Sequence, residues 1–531
     1  MLVLLPAALA FVGAIAILIF HRLRPSYGDS WLVALGVSLV VWGLVLALRW
    51  QENAAVSLSM WWPVERTVFL TFQADRISWM YAFSLASLAM TVAMTAAVRL
   101  RYEITPTVWV ETLLLLGSGL LVVLAGSFTT LIFVWTIIDG IELLVMLSNV
   151  RESSLRQSAV LSFMLRITGT FMVVWATIRS QAFGTPLMMG NIIPEVGLLL
   201  LLAVGLRLGV VPLHVPYGEE PHLRRGLGTF LRLSTAASSL VVLARLPMQA
   251  IPARWQTLML VFSALAAVYG GARWAAAKNE LDGRPYLVIA VAGLAFACVI
   301  QGNPIASISW GVALIVFGGI IFLASVHNLP VTIISGVGVL AFSGLPFTPT
   351  VDGLNGLWGS QFSVMNLLYI LAHALILLGY VRHALRAAGE TDGLESWSII
   401  VYASGLGGLV AIGWGISIYR LPGGVTLGLW WAAVPAVLLA GLAWWFLSRS
   451  SAREELVEGS GWIAIVSRPV GRWVGQFFSL NWVYRSLYFL YRATQQLIKF
   501  FSLLLEGEGG MLWALLLLTL LSTLIASGVN P

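Results

Sequence analysis

With one cysteine, two lysines and 10% charged residues in a chain of 531, several classes of chemistry are out of reach. The lone thiol, Cys298, sits inside an apolar run, and one thiol neither closes an internal disulfide nor holds an iron–sulfur cluster. The six histidines show none of the spacings that build a metal site. No glycine-rich loop follows a strand pattern, and no convincing strand pattern is found, so no nucleotide site is expected. Redox, hydrolytic and nucleotide chemistry are therefore expected in other chains, and no cofactor is expected in this one. Charge is too scarce to cover a water-soluble surface. The net charge of +7 comes mostly from arginines in the connections, which reads as membrane topology rather than as a nucleic-acid surface.

What is abundant is apolar: 59% of the residues are hydrophobic, and the mean hydropathy is +0.92. Runs of about 18 or more apolar residues recur from end to end, giving about sixteen spanning helices. The first, residues 2–20, has no basic residue before it and leads into further spans, so it reads as a spanning helix rather than a cleaved leader. Basic pairs follow the odd-numbered runs, among them Arg22 and Arg24, Arg224 and Arg225, and Arg382 and Arg386. Those connections are expected on the cytoplasmic side, which puts both termini on the outer side. Two stretches depart from simple spans. Residues 51–76 read as a longer outer loop carrying Trp61, Trp62 and Pro63. Residues 462–505 are apolar but interrupted by charge, and Arg485, Arg492 and Lys499 recur every seven residues on one helical face. That pattern predicts an amphipathic helix lying along the membrane over about 472–505, ahead of a last span at 511–525.

Polar groups inside apolar runs are the functional candidates, because burying them is costly. Thr136, Asp139 and Glu142 recur at intervals of three in the fifth run and are expected to climb one helix face. In the seventh run Arg207 stands five residues before Pro212, followed by His214 and Pro216. Proline removes a backbone donor and breaks the helix, and broken helices beside buried charge line ion paths in transporters. Each residue also has a plainer reading. Arg207 pairs statically with Asp139 or Glu142, His214 caps a carbonyl that Pro212 leaves open, and Asp282 belongs to a solvated loop. Shared depth predicts Asp139 or Glu142 within ion-pair reach of Arg207, directly or through one water.

Arg207, four residues, Pro212-Leu213-His214, then Glu219, Arg232 and Arg245 resembles the signature of antiporter-like membrane subunits. These are the proton-translocating subunits of respiratory complex I and their relatives in Mrp-type antiporters and membrane-bound hydrogenases. Asp75-Arg76-Ile77-Ser78, Trp135, Asp282-Gly283-Arg284 and Gly344-Leu345-Pro346 are similar to further family motifs in the same order. The motifs cover about residues 75–349, and the span count covers the whole chain. The resemblance implies an all-α bundle of inverted repeats with central helices broken at Pro212, Pro216, Gly344 and Pro346. It implies N-terminal helices over 1–107, a proton-conducting core over 108–390, further helices over 391–461, and the interfacial helix with the last span over 462–531. Its ion path would run through Asp139, Glu142, Arg207, His214, Glu219, Arg232, Asp282 and Arg284, inside a quinone-oxidoreductase-type or hydrogenase-type complex in a prokaryotic inner membrane. Other membrane subunits and the lipid bilayer would be its partners, and nucleic acid would not.

The departures from the family are systematic. Its glutamate of span five falls on Thr136, its lysine of span seven on Arg207, its histidine of span eight on Arg232, and a lysine near span ten on Arg284. The lysine of span twelve is absent, with Leu354 nearby. Burial can lower a lysine until it releases a proton, whereas arginine stays protonated. Asp139 and Glu142 are then the titrating groups and the arginines fixed counter-charges. Three functions stay open: proton or sodium translocation, a structural subunit that has lost conduction, and transport of an anionic solute such as bicarbonate, which buried arginine suits.

Overall fold

In a computed structural model the described residues run from 2 to 450. They omit 25–29, 52–53, 61–67, 101–104, 151, 185–188, 190–191, 216–222, 250, 327, 359–362, 387–388, 390–393 and 421–429; beyond 450 they are 489, 492, 496, 516, 518, 519 and 523. The chain forms two compact units, Met1–Glu455 and Leu456–Pro531. The stretches expected to form the interfacial helix and the last span lie outside the described residues apart from those few positions; Trp61, Trp62, Pro63, Pro216 and Glu219, in the first unit, also lie outside them.

The helices of the first unit are α1 (Leu5–Leu23), α2 (Ser30–Ala47), α3 (Arg76–Thr95), α4 (Pro106–Val123), α5 (Phe128–Asn149), α6 (Ser153–Ala182), α7 (Pro194–Leu208), α8 (Arg225–Leu243) and α9 (Ala253–Ala276). They continue with α10 (Glu280–Ile300), α11 (Ser307–Ala313), α12 (Gly319–Leu323), α13 (Leu329–Phe342), α14 (Val351–Asn355), α15 (Val364–Ala384), α16 (Ser396–Arg420) and α17 (Trp430–Ser450). Each of the first fifteen expected spans coincides with one helix or one interrupted pair. A π-helical turn at Leu314–Gly318 joins α11 to α12, and α13 with α14 make a broken span. Among the described residues twelve helices are long and apolar enough to cross a membrane. This is an all-α integral membrane protein.

Local sequence explains the ends. Asp75 caps α3, its carboxylate accepting from the Ser78 amide at 2.7 Å. Asn279 caps α10 and Asn328 caps α13 in the same way. The 51–76 stretch is not the plain loop expected. Strand β1 (Ala54–Met60) pairs antiparallel with β2 (Val68–Ala74), with Val56 opposite Phe72 and Leu58 opposite Leu70. The signal was there: Val56, Leu58 and Met60 alternate with Ser57 and Ser59, the period of a strand. The hairpin docks on the α4–α5 corner, where Gly126 N–H donates to Thr71 O at 2.8 Å and Thr71 N–H donates to Thr130 Oγ1 at 2.8 Å.

Burial sorts the helices into centre and rim. The spanning window of α8 is 100% buried and that of α10 94%, against 33% for α1, α2 and α16. A helix buried all round belongs at the centre of a bundle, so α8 and α10 form the axis on which the polar groups converge.

Candidate functional site

The polar centre begins on α5. Asp139 and Glu142 are each 1% exposed. Thr136 does not share their face: it is exposed, and its hydroxyl donates to its own helix at Ile132 O. Two steps of three residues rotate the helix by about 600°, leaving Thr136 about 120° from Glu142. The expected pairing with Arg207 is present. Arg207 Nη1 lies 2.5 Å from Asp139 Oδ2 and Nη2 donates to Oδ1 at 2.8 Å, a two-pronged contact with both side chains buried. Its guanidinium carbon sits 4.1 Å from the centre of the Trp135 ring, and the Trp135 indole is fixed by donating to Ser238 O at 3.1 Å. A Cβ on Gly169 of α6 would stand 2.8 Å from Ala203 O and 3.0 Å from Arg207 Cγ, so glycine lets α7 and its arginine stem approach α6.

Sequence reasoning missed the residue that ties the cluster together. Arg166, in the middle of α6, lies 2.8 Å from Asp139 Oδ1 and 2.5 Å from Glu142 Oε2. Its signal was the usual one, a charge inside an apolar run. Asp139 is thus clamped between two guanidiniums, and Glu142 is held by Arg166. Two carboxylates and two guanidiniums balance, the condition under which such a buried group persists.

From Glu142 the charges continue in file. Arg232 on α8, 3% exposed, interacts electrostatically with Glu142, Arg284 and Arg166. Arg284 on α10, 1% exposed, stands 5.5 Å from the centre of the Phe322 ring and interacts with Arg225 and Glu280. Gly228 makes room for it: a Cβ there would lie 2.5 Å from Arg284 Nη1. The file ends at Glu280, which is 2.7 Å from Arg225 and 3.4 Å from Arg386. These three line an open cleft of about 330 Å³ together with Asp282, Ser335 and His383. The cleft gathers the connections after the seventh, ninth, eleventh and thirteenth spans on one side of the bundle.

Asp282 has a local part in this. Its backbone N–H donates to Asn279 Oδ1 at 2.8 Å, and its carboxylate accepts from Asn279 Nδ2 at 2.6 Å. That is a reciprocal cap on α10. His214 is 2% exposed, with Nδ1 2.8 Å from Pro212 O. The first break starts earlier than expected: α7 ends at Leu208, and Gly209 takes a left-handed φ of 75° that suits glycine. The second break has Gly344 at φ 69° between α13 and α14, with Pro346 inside it. Arg245 bonds Asp75 at 3.0 Å and also contacts the Ser78 hydroxyl, tying the start of α3 to the end of α8. Cys298 packs in the core and donates to Gly353 O at 3.3 Å. Among the described residues no three His, Cys, Asp or Glu side chains gather to hold a metal.

No family model matches the chain, and no curated protein matches it. Solved structures do. A chain of the Mrp complex from Dietzia sp. DQ12-45-1b superposes with a TM-score of 0.69 at 14% identity, over 100% of this chain and 63% of that one. A chain of the membrane-bound sulfane sulfur reductase, an archaeal respiratory membrane complex, gives 0.70 at 14% identity, over 98% and 99%. A chain of respiratory complex I from Thermus thermophilus gives 0.59 at 16% identity, over 77% and 96%. This chain therefore spans under two thirds of the Mrp chain and nearly the full length of the other two. It has the fold of the antiporter-like membrane subunits.

Proposed function

We propose that the protein is a membrane subunit of a complex I-like or Mrp-like assembly and that it moves protons across a prokaryotic inner membrane. The observation that carries the reading is the buried file of charges from Asp139 to the cleft at Glu280. Buried charge is costly in a membrane and is kept where it serves an ion path. Protons are favoured over sodium because guanidiniums already occupy Asp139 and Glu142, leaving no oxygen cage for a metal ion. Glu142 is the group to change charge: Asp139 is held by two arginines and Glu142 makes its close ion pair with one. When Glu142 takes a proton, Arg166 loses one counter-charge and the positive field on Arg232 and Arg284 rises. The arginines transmit this field without releasing protons. Redox chemistry and its cofactors belong to partner subunits in this reading.

A second reading, a structural subunit with the same fold, is favoured by one observation: every cation in the file is an arginine. Anion transport has less support, since the chain's own carboxylates fill the Arg166 and Arg207 guanidiniums. Proton flux in sealed vesicles carrying the intact assembly separates the first two. Glu142→Gln is expected to lower flux by about a hundredfold with assembly unchanged. Wild-type flux in the Asp139→Asn/Glu142→Gln double variant would end the translocation reading.

The proposed orientation has its own check. Reporter fusions are expected to give a cytoplasmic signal at Gly393 and an outer signal at Pro531, because basic residues mark the odd-numbered connections. A cytoplasmic signal at Pro531 would overturn the proposed placement of the C-terminus.

A further inference from the structure

The two broken spans share a feature that the charged file does not use. At the first break His214 is buried, with one ring nitrogen on Pro212 O at 2.8 Å and the other, Nε2, without a partner among the described residues. At the second break His373 of α15 is 0% exposed, with Nε2 2.6 Å from Phe342 O at the end of α13 and Nδ1 without a partner among the described residues. The contact to a carbonyl makes His373 Nε2 the donor, so Nδ1 carries a lone pair. Trp310 of α11 packs edge-on to this imidazole, ring centres 5.6 Å apart. Its indole N–H is likewise buried without a partner among the described residues. The two groups are chemically complementary, one acceptor and one donor.

Both look onto the interrupted segment. A Cβ on Gly344 would stand 3.2 Å from His373 Cε1, the carbon between the two ring nitrogens, and 2.9 Å from Leu354 Cδ2; a Cβ on Gly353 would stand 2.7 Å from Trp310 Nε1. Leu354 is the residue nearest the position where the resemblance leads one to expect a lysine. A titratable side chain from the neighbouring helix therefore reaches the break beside Leu354, while the interrupted segment's own carboxylate, Asp352, stands on α14. Buried polar atoms left unpaired are costly and ask for an explanation.

We propose that His373 is the proton-exchange group of the second broken span, working at Nδ1. The proposal rests on the translocation reading above. The Nδ1 lone pair accepts a proton, the imidazolium keeps its Nε2–H on Phe342 O, and the same proton leaves from Nδ1 to the next acceptor. No oxidant or further reactant is needed. The elements packed against α15 bring Arg254, Tyr269 and Arg273 on α9, Glu280, Asp282, Arg284, Tyr286 and Cys298 on α10, and Arg449 on α17. Among the described residues none of these, nor Asp352 on α14, bonds His373 Nδ1. With no acid bonded to it among the described residues, the imidazolium is tolerated only while water reaches Nδ1, so exchange is tied to the opening of the break.

His373→Gln tests this, because the amide keeps an N–H for Phe342 O and loses the proton acceptor. In sealed vesicles carrying the whole assembly, flux is expected to fall by about a hundredfold with assembly intact. In parallel, ¹⁵N NMR of histidine-labelled wild type, assigned by difference from the variant, is expected to show the proton on Nε2 and the lone pair on Nδ1 at neutral pH, with Nδ1 taking up a proton as the pH falls. Wild-type flux in His373→Gln overturns the inference and leaves the translocation reading standing. If wild-type vesicles move no protons, that reading has failed. The NMR then decides alone: a proton on Nδ1 rather than Nε2 at neutral pH, or an Nδ1 that takes up no proton as the pH falls while the protein stays folded, overturns the role of His373.

Discussion

Replacing Arg166 by methionine is expected to destabilise the protein by about 3–5 kcal/mol, the usual cost of stripping one partner from a buried ion pair. Arg166 lies within 2.8 Å of Asp139 and 2.5 Å of Glu142. Without it two carboxylates, one helical turn apart on α5, are left with the guanidinium of Arg207, which pairs with Asp139. Glu142 must then stay charged against poor compensation or bind a proton, and both routes weaken the fold. Arg166→Met/Glu142→Gln removes one charge of each sign and leaves the matched pair Asp139–Arg207. Replacing a buried pair by uncharged groups is often neutral or even stabilising, so the double variant is expected to recover at least half of the loss. Denaturant titration of the purified protein in detergent measures both. A double variant as unstable as the single one would show that Arg166 acts by packing its stem rather than by its charge.

Gly270→Leu is the second large effect, expected at about 3 kcal/mol or more, the upper range for overpacking. α9 and α10 touch backbone to backbone through glycines. A Cβ on Gly270 would lie 2.6 Å from Ala290 N and 2.7 Å from Tyr286 O, and one on Gly293 would lie 2.8 Å from Ala267 N and Ser263 O. The neighbours are main-chain atoms of a regular helix, so nothing flexible can yield. Small residues at such crossings are what brings helices close in a membrane. The wedge would move α10, which carries Glu280 and Arg284, so proton flux should fall along with stability. Gly43 on α2 is the control: nothing lies within 4 Å of its Cβ position, and Gly43→Leu is expected within about 0.5 kcal/mol of wild type. Equal losses at both positions would refute the close-packing account.

Sequence alone determined the class of this protein and the order of its helices. Apolar runs of spanning length are a local property, set by the bilayer rather than by neighbours, so fifteen expected spans reappear as helices or broken pairs. The Asp139–Arg207 pair was also legible, because shared depth in two adjacent spans and the cost of burying an unpaired charge leave few alternatives. Periodicity misled only at Thr136, where a three-residue step was stretched over two turns, and in the hairpin, where a clean alternation was passed over. Arg166 carried a readable signal as a lone charge mid-run; what it bridges did not, since the choice of partner depends on how α5, α6 and α7 pack.

Only the tertiary structure decided the rest. The position of Arg284 over Phe322, the meeting of Arg225, Glu280 and Arg386 at one cleft, and the arrival of His373 at the break beside Leu354 each join residues far apart in the chain. The cleft that Asp282 lines, and its hydrogen bonds to the capping Asn279, also came only with the structure. The physical reason is common to all of them. Hydropathy and helical period are carried by the residues themselves, whereas the counterpart of a buried polar group is set by crossing angles and close approaches between helices.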